Sequence, residues 1–283
     1  MNVNVACGCC AWCVVGLLAG LPDLALAVTD PADIAAPLKA EPGVKWEGAV
    51  GGIVGYRPEY PGAARMVSKV TPALFLRYGR FSITNASGFV TRRADDVTRG
   101  LGVELVQSSQ LRVNLALRVD RGRSESTSQD LAGLGDIKPT VRARVAASWQ
   151  IGGPWSLAAS WNVDALGRGG GNYGDVGLGW TQRLSPSTTM GAGASLSLAG
   201  DRYMQTVYGV SAAQAQRTTY PVYEPGSGLR DLAVVLYGRH DLSRDWVLIG
   251  GVGASRLLGP AAASPLSKSA GGWSSNIGLA RRF

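Results

Sequence analysis

Gly271-Gly272-Trp273-Ser274-Ser275-Asn276-Ile277-Gly278-Leu279-Ala280-Arg281-Arg282-Phe283 alternates along its whole length. Trp273, Ile277, Leu279 and Phe283 share one parity, while Ser274, Asn276, Gly278, Ala280 and Arg282 share the other. A period of two marks a strand with one apolar and one polar face. Whether this is the last stave of a closed sheet depends on what precedes it.

What precedes it, from Lys45 onward, reads almost entirely as strands and turns. Trp46–Tyr56, Val67–Tyr78, Phe81–Arg92, Leu101–Val106, Leu111–Val119 and Thr140–Ile151 form the first half of the series. Trp155–Ala165, Val176–Leu184, Thr188–Leu198, Leu229–Leu242, Trp246–Leu257 and Gly272–Phe283 form the second. That makes about twelve strands of about ten residues, the length a tilted membrane strand needs. Short connections at 79, 108, 152, 185 and 243 alternate with long ones at 57–66, 93–98, 123–138, 166–174, 200–227 and 258–271. A soluble sandwich has no reason to sort its loops this way, and an open sheet would leave exposed edges. The expectation is an all-β fold: a closed antiparallel up-and-down transmembrane β-barrel of about 12 strands, with short periplasmic turns and long outer loops. A last strand that alternates and ends in Phe283 is similar to the terminal strand that the outer-membrane assembly machinery reads.

The faces agree along the middle of the chain. Leu111, Val113, Leu115, Leu117 and Val119 are expected to face lipid, with Arg112, Asn114, Arg118 and Asp120 in the lumen. On the next two strands Arg142, Arg144, Ser148, Ser156, Ser160, Asn162 and Asp164 fall on the lumen parity. An Arg facing lipid at mid-depth costs about 2–4 kcal/mol, which pins this register. Leu229–Leu242 and Trp246–Leu257 are apolar on both parities, and their faces stay open. Trp46, Trp149, Trp155, Trp180, Trp246 and Trp273 fall near strand ends, as interfacial girdles or as ordinary packing aromatics.

Composition fits. The 39 Gly among 283 residues are roughly twice the usual share, and the 17% charged residues fall below the usual quarter. All four cysteines (Cys7, Cys9, Cys10 and Cys13) lie in the first 13 residues, which leaves no disulfide framework and no tetrahedral metal set further on. Residues 11–21 form an apolar core, and Ala25-Leu26-Ala27 supplies a small-x-small cleavage pattern. Residues 1–27 are therefore read as a signal peptide, 28–44 as a flexible periplasmic lead and 45–283 as the barrel. Beyond residue 27 the chain carries 28 basic and 19 acidic residues, a net charge of +9. Arg is scattered and no nucleic-acid module is present, so the charge suits outer-membrane lipid and lipopolysaccharide and not nucleic acid.

Candidate chemistry is sparse. His240, the single histidine, is followed by Asp241, Leu242 and Ser243 at the periplasmic end of its strand, away from any outer-leaflet ester and without a matched serine. No catalytic residue, cofactor or metal is expected. Arg168-Gly-Gly-Gly-Asn-Tyr-Gly174 lacks the Lys and helix of a phosphate loop and reads as an outer loop. Arg112, Arg118, Arg142 and Arg144, with Glu104, Asp120 and Asp164, make a charged lumen wall. It is either a selectivity lining for anionic solutes or a salt-bridge network that fills the lumen, and the second is preferred.

Several motifs, in order, resemble the MltA-interacting protein (MipA/OmpV) family of outer-membrane proteins. Tyr56-Arg-Pro58-Glu-Tyr60-Pro-Gly62 resembles its first-loop Y-x-P-x-Y-x-G, and Gly122-Arg123 with Leu131-Ala-Gly-Leu134-Gly135-Asp136-Ile137 resembles GR…LxGLGDI. Tyr203-Met204, Tyr208-Gly209-Val210-Ser211, Gln214 and Ser227-Gly228-Leu229 resemble YM…YFGV…Q…SGL. Arg256-Leu257-Leu-Gly259 with Ala261–Ser264-Pro265 resembles RLLGDAADSP, and Arg282-Phe283 resembles YRF. Pro260 and Ala263 stand where the family usually has Asp, and Arg281 where it usually has Tyr. The resemblance implies a scaffold that links a lytic transglycosylase to a peptidoglycan synthase at the outer membrane. The competing reading is a small-solute channel or surface receptor. The motifs lie mostly in outer loops, where they either pack as a lid or bind an external ligand.

Overall fold

A computed structural model describes residues 46–85 and 99–283. The expected signal peptide, the periplasmic lead and the far half of the third strand lie outside the described residues.

Twelve antiparallel strands close into a barrel in which each pairs with its sequence neighbours and β12 returns to β1. They are β1 (Trp46–Pro58), β2 (Met66–Tyr78), β3 (Phe81–Thr84), β4 (Gly100–Gln107), β5 (Leu111–Asp120) and β6 (Thr140–Gly152), then β7 (Trp155–Asp164), β8 (Asn172–Ser185), β9 (Thr188–Ala199), β10 (Gly228–Asp241), β11 (Trp246–Leu257) and β12 (Gly271–Arg282). All turns of a few residues gather at one end and the long connections at the other. In outer-membrane barrels these are the periplasmic and external ends. Among the described residues no helix is long and apolar enough to cross a membrane.

The seam is specific. Ala49 to Tyr56 on β1 pair with Arg282 to Ser275 on β12. Gly48 and Phe283 then exchange two backbone hydrogen bonds, 3.1 and 2.9 Å. A Cβ on Gly48 would lie 2.3 Å from the Phe283 ring, so the terminal aromatic lies over the bare backbone of this glycine. On the other parity Arg282 points into the lumen and meets Asp241 of β10 at 2.5 Å, which Arg239 holds at 2.9 Å.

Outside, exposed Leu111, Leu115, Leu117 and Val119 of β5 continue into Val145, Leu157 and Trp161. Their register partners carry the belt around the barrel. The aromatic girdle is heaviest at the turn end, where Trp46 stacks near Tyr78 with ring centroids 4.5 Å apart and Trp155 pairs with Trp180. At the loop end Tyr56 and Trp273 stand 5.3 Å apart. Inside, the turn-end half holds an apolar cluster of Ala49, Ala73, Phe75, Val247, Ile249 and Ala280.

Three features depart from the simple strand–turn reading. β8 begins at Asn172, inside the glycine run taken for an outer loop, because Gly174 leaves room for the Trp161 ring, 2.3 Å from where its Cβ would stand. β10 bulges: its register with β9 steps from Leu229 to Asp231, which turns Arg230 inward beside Asp231. The 200–227 connection contains helix α1 (Asp201–Tyr208) and the short α2 (Ala212–Ala215), while α3 (Gly259–Ala262) lies in the last long connection.

Candidate functional site

The described loops meet over the external mouth. The connection between β5 and β6 and the one between β11 and β12 sit half a circumference apart in a ring of twelve. Yet Leu131 and Leu134 of the first share one buried cluster with Leu266 of the second, Tyr60 and Ala63 of the β1–β2 loop, and Val210 after α1. Loops on opposite sides touch only by crossing the mouth, so they form a lid.

Polar contacts lock it. Tyr60, 2% exposed, donates its hydroxyl to Leu266 O at 3.1 Å, with Asp130 Oδ2 at 3.4 Å. Gln214 Nε2 donates to Leu134 O at 2.6 Å, Ser264 Oγ to Tyr208 O at 2.6 Å, Arg123 Nη1 to Val207 O at 3.1 Å and Tyr223 OH to Pro260 O at 2.8 Å. Burial pushes the Tyr60 and Tyr208 phenols well above their ordinary range, and Asp130 pushes Tyr60 further. Burial also lowers the Arg123 guanidinium from its usual value. The exposed carboxyl of Asp136 is held low by the backbone N–H of Glu125 and then by Ser124.

Glycines serve the lid at particular points. Gly122 has φ +68°, and a Cβ there would lie 1.9 Å from Ile137 O, where Arg123 and Ile137 bridge the neck of the loop. Gly62 has φ +92° and would meet Ser267 at 2.9 Å. Both need the left-handed backbone and the missing side chain.

Beneath the lid is a charged layer. Arg230, wholly buried, binds Asp231 at 2.5 Å and Asp175 at 3.3 Å, and Ser197 Oγ donates to Asp175 at 2.7 Å. The Tyr173 and Tyr203 rings, 5.0 Å apart, lie between two guanidiniums: Arg230 is 4.8 and 5.5 Å from their centroids and Arg142 5.2 and 5.5 Å. Arg142 is paired with Asp120, and Arg118 Nη2 donates to Tyr173 OH at 2.6 Å. Met204 and Tyr208 of α1 seal this layer against Ala199, Leu257 and Ala261. α1 belongs here because its buried side chains recur on one helical face, Tyr203 and Met204 with Tyr208.

The sequence-derived site residues divide among these places. Arg118, Asp120 and Arg142 join the layer. Asp164 accepts from Thr140 and from Gly170 N. Arg112 and Arg144 are buried on the lumen side nearer the turn end, and Glu104 meets Arg77 at 3.6 Å. Of the motif residues, Tyr60, Gly62, Gly122, Arg123, Leu134, Met204, Tyr208 and Ser264 are lid contacts. Gly135 N donates to Glu125 at 2.9 Å, Gly209 N caps α1 on Gln205 O at 3.0 Å, and Tyr203 enters the charged layer. Pro58, Gly228 and Leu257 end or begin strands at the lid's edge and Gly259 begins α3, with Pro265 between the lid residues Ser264 and Leu266. Tyr56, Leu229 and Arg256 face outward at the loop-end rim, Ser227 is exposed, and Phe283 closes the seam. Where the family usually has Asp, Pro260 opens α3 and offers its carbonyl to Tyr223, and Ala263 caps that helix in the open.

His240 and Asp241 are not brought together. His240 faces outward with Nδ1 2.8 Å from Thr188 Oγ1, while Asp241 faces the lumen on Arg239 and Arg282. Among the described residues no group of three or more His, Cys, Asp or Glu gathers to hold a metal. Sequence reasoning missed Arg230, Asp231 and Asp175. Their one signal was an Arg-Asp pair opening an otherwise apolar strand.

The profile described as MltA-interacting protein MipA matches residues 50–283. No curated protein sequence matches the chain. Among solved structures, the outer-membrane expressed OmpT of Vibrio cholerae superposes with a TM-score of 0.39 at 9% identity, covering 87% of this chain and 99% of that one. An anion-selective porin from Comamonas acidovorans gives 0.37 at 10% identity, covering 85% and 99%. OprB of Pseudomonas putida gives 0.35 at 13% identity, covering 76% and 59%.

Proposed function

The chain belongs to the MltA-interacting protein MipA family and is an outer-membrane β-barrel, and from that premise we propose that it acts as a lidded scaffold, not as a solute pathway. In this reading it holds a lytic transglycosylase, the partner that the motif resemblance implies, against the periplasmic side of the outer membrane, and through it a peptidoglycan synthase. The lid is the observation that carries the proposal. Loops from opposite sides of the barrel are bonded across the mouth above a layer of paired charges. A barrel committed to passage would keep that route wet and open.

The surface left for partners is the turn end, where Arg80, Arg183, Arg244 and Arg281 are exposed around short turns. The terminal strand, with Phe283 at this rim, serves the assembly machinery.

The test is capture from detergent-solubilised envelopes. The tagged barrel is expected to retain a lytic transglycosylase, and a variant combining Arg183→Glu and Arg244→Glu to lose it while staying folded. Recovery no better than that of an unrelated barrel would remove the scaffold reading. The small-solute channel rests on the lumen guanidiniums of Arg112 and Arg144, and would require the lid to open.

A further inference from the structure

A small cleft lies at the seam side of the lid, with a volume of about 20 Å³. It is bounded by the β1–β2 loop, by the connection after β11, and by Asp231 and Ser255 on the barrel wall. A space for one water or one ion needs about 10–15 Å³ on this measure. The lining contains no Lys, Arg or His. Its polar side chains are Asp231, Ser255 and Ser269, and the remainder is Pro, Gly, Ala and Leu with their backbone carbonyls.

Asp231 is 3% exposed, and its two oxygens differ. Arg230 Nε donates to Oδ2 at 2.5 Å. Oδ1 is buried and has no hydrogen-bond partner. Leaving a buried carboxylate oxygen bare is costly. The one guanidinium within reach of that carboxylate, Arg230, is shared between Asp231 and Asp175. The nearby Arg142 is already paired with Asp120. Arg57 donates to its neighbour's carbonyl, Pro58 O at 3.4 Å. Asp231 Oδ1 therefore stands without a donor beside a cleft lined with oxygen atoms.

We propose that this cleft seats a single small hard cation, bound by Asp231 Oδ1 with hydroxyl and carbonyl oxygens of the lining. Oxygen-only ligands select hard cations. A single carboxylate makes the site weak, suited to the millimolar ions outside a cell and not to a scarce metal. Bound there, the ion ties β10 and β11 to the first and last loops and tightens the lid from the external side. This inference does not depend on the scaffold reading, since a channel or a scaffold would hold the ion equally.

The experiment is thermal unfolding of the purified barrel in detergent at constant ionic strength, in choline chloride, sodium chloride, or choline chloride with millimolar calcium. The midpoint is expected to rise by roughly 2–4 °C in sodium or calcium over choline, and the arm that gives the larger rise identifies the ion. Asp231→Asn should abolish the rise. Should that variant fail to fold, Ser255→Ala keeps the Arg230 pair and should shift the response to higher ion concentration. Crystals soaked in thallium(I) should show an anomalous peak against the Asp231 carboxylate. Equal midpoints in all three salts, or an ordered water in the cleft with no anomalous peak, would overturn the proposal.

Discussion

The two ends of this barrel are built from the same strands and obey different rules. At the turn end the connections are only long enough to reverse direction, the aromatic girdle is dense, and the lumen holds an apolar cluster around Phe75 and Val247. At the loop end the connections are long, carry three α-helices among the described residues, and replace apolar packing inside the wall with Arg230, Asp175, Asp231 and two sandwiched tyrosines. The turn end is local and repeats from hairpin to hairpin. The loop end is non-local: Tyr60 bonds Leu266, more than two hundred residues away. Closing the sheet needs only the first set of rules, and closing the mouth needs the second.

The comparison breaks most sharply at Arg230. Arg230→Ala leaves two buried carboxylates without their cation and is expected to cost about 3–5 kcal/mol, read as a lower unfolding midpoint in detergent. Next comes Met204→Ala, which cuts the wholly buried side chain that seats α1. It is expected to cost about 2–5 kcal/mol, largely within the lid. Protease should then cleave the 200–227 connection while the barrel itself stays folded. Gly122→Ala forces a side chain against Ile137 O at a left-handed position, with an expected cost of about 1–3 kcal/mol and faster amide exchange around Arg123.

A pH series sharpens the contrast more gently. Tyr60 and Tyr208 are buried as neutral phenols with raised pKa values. Their contribution is fully present below the unfolded value of about 10 and is lost as pH rises through the folded values. The lid should therefore loosen above about pH 10, ahead of the turn end, where the seam relies on Phe283 and an Arg–Asp pair. The smallest effect belongs to Arg281→Tyr at the turn-end rim. Arg281 is exposed on the lipid-facing parity and pairs with Trp246. Removing an interfacial charge is worth about 0–1 kcal/mol, so the change should speed barrel assembly and leave lid stability unchanged.

The turn end was legible in the sequence because its information is periodic. Alternation in β5 to β7 located both faces, since each misplaced Arg would have met lipid. The strict sorting of short and long connections then implied closure before any pairing was known. The loop end was legible only in part, because its contacts follow no period. The motif residues marked which loops matter without stating what they touch. The Arg230 bulge erased the parity signal in β10, where apolar residues on both faces already blurred it. The glycines of Arg168–Gly174 looked like a loop, yet three residues of β8 lie there because Trp161 needs Gly174. Helix α1 hid in a long connection, although Tyr203, Met204, Val207 and Tyr208 carry a helical spacing.

The lid is the claim on which the functional account stands, and ion conductance across a planar bilayer tests it most directly. The intact barrel should be silent, and a variant with residues 201–226 replaced by a short Gly-Ser linker should pass current. Stable open steps from the intact barrel, unchanged by that replacement, would contradict it.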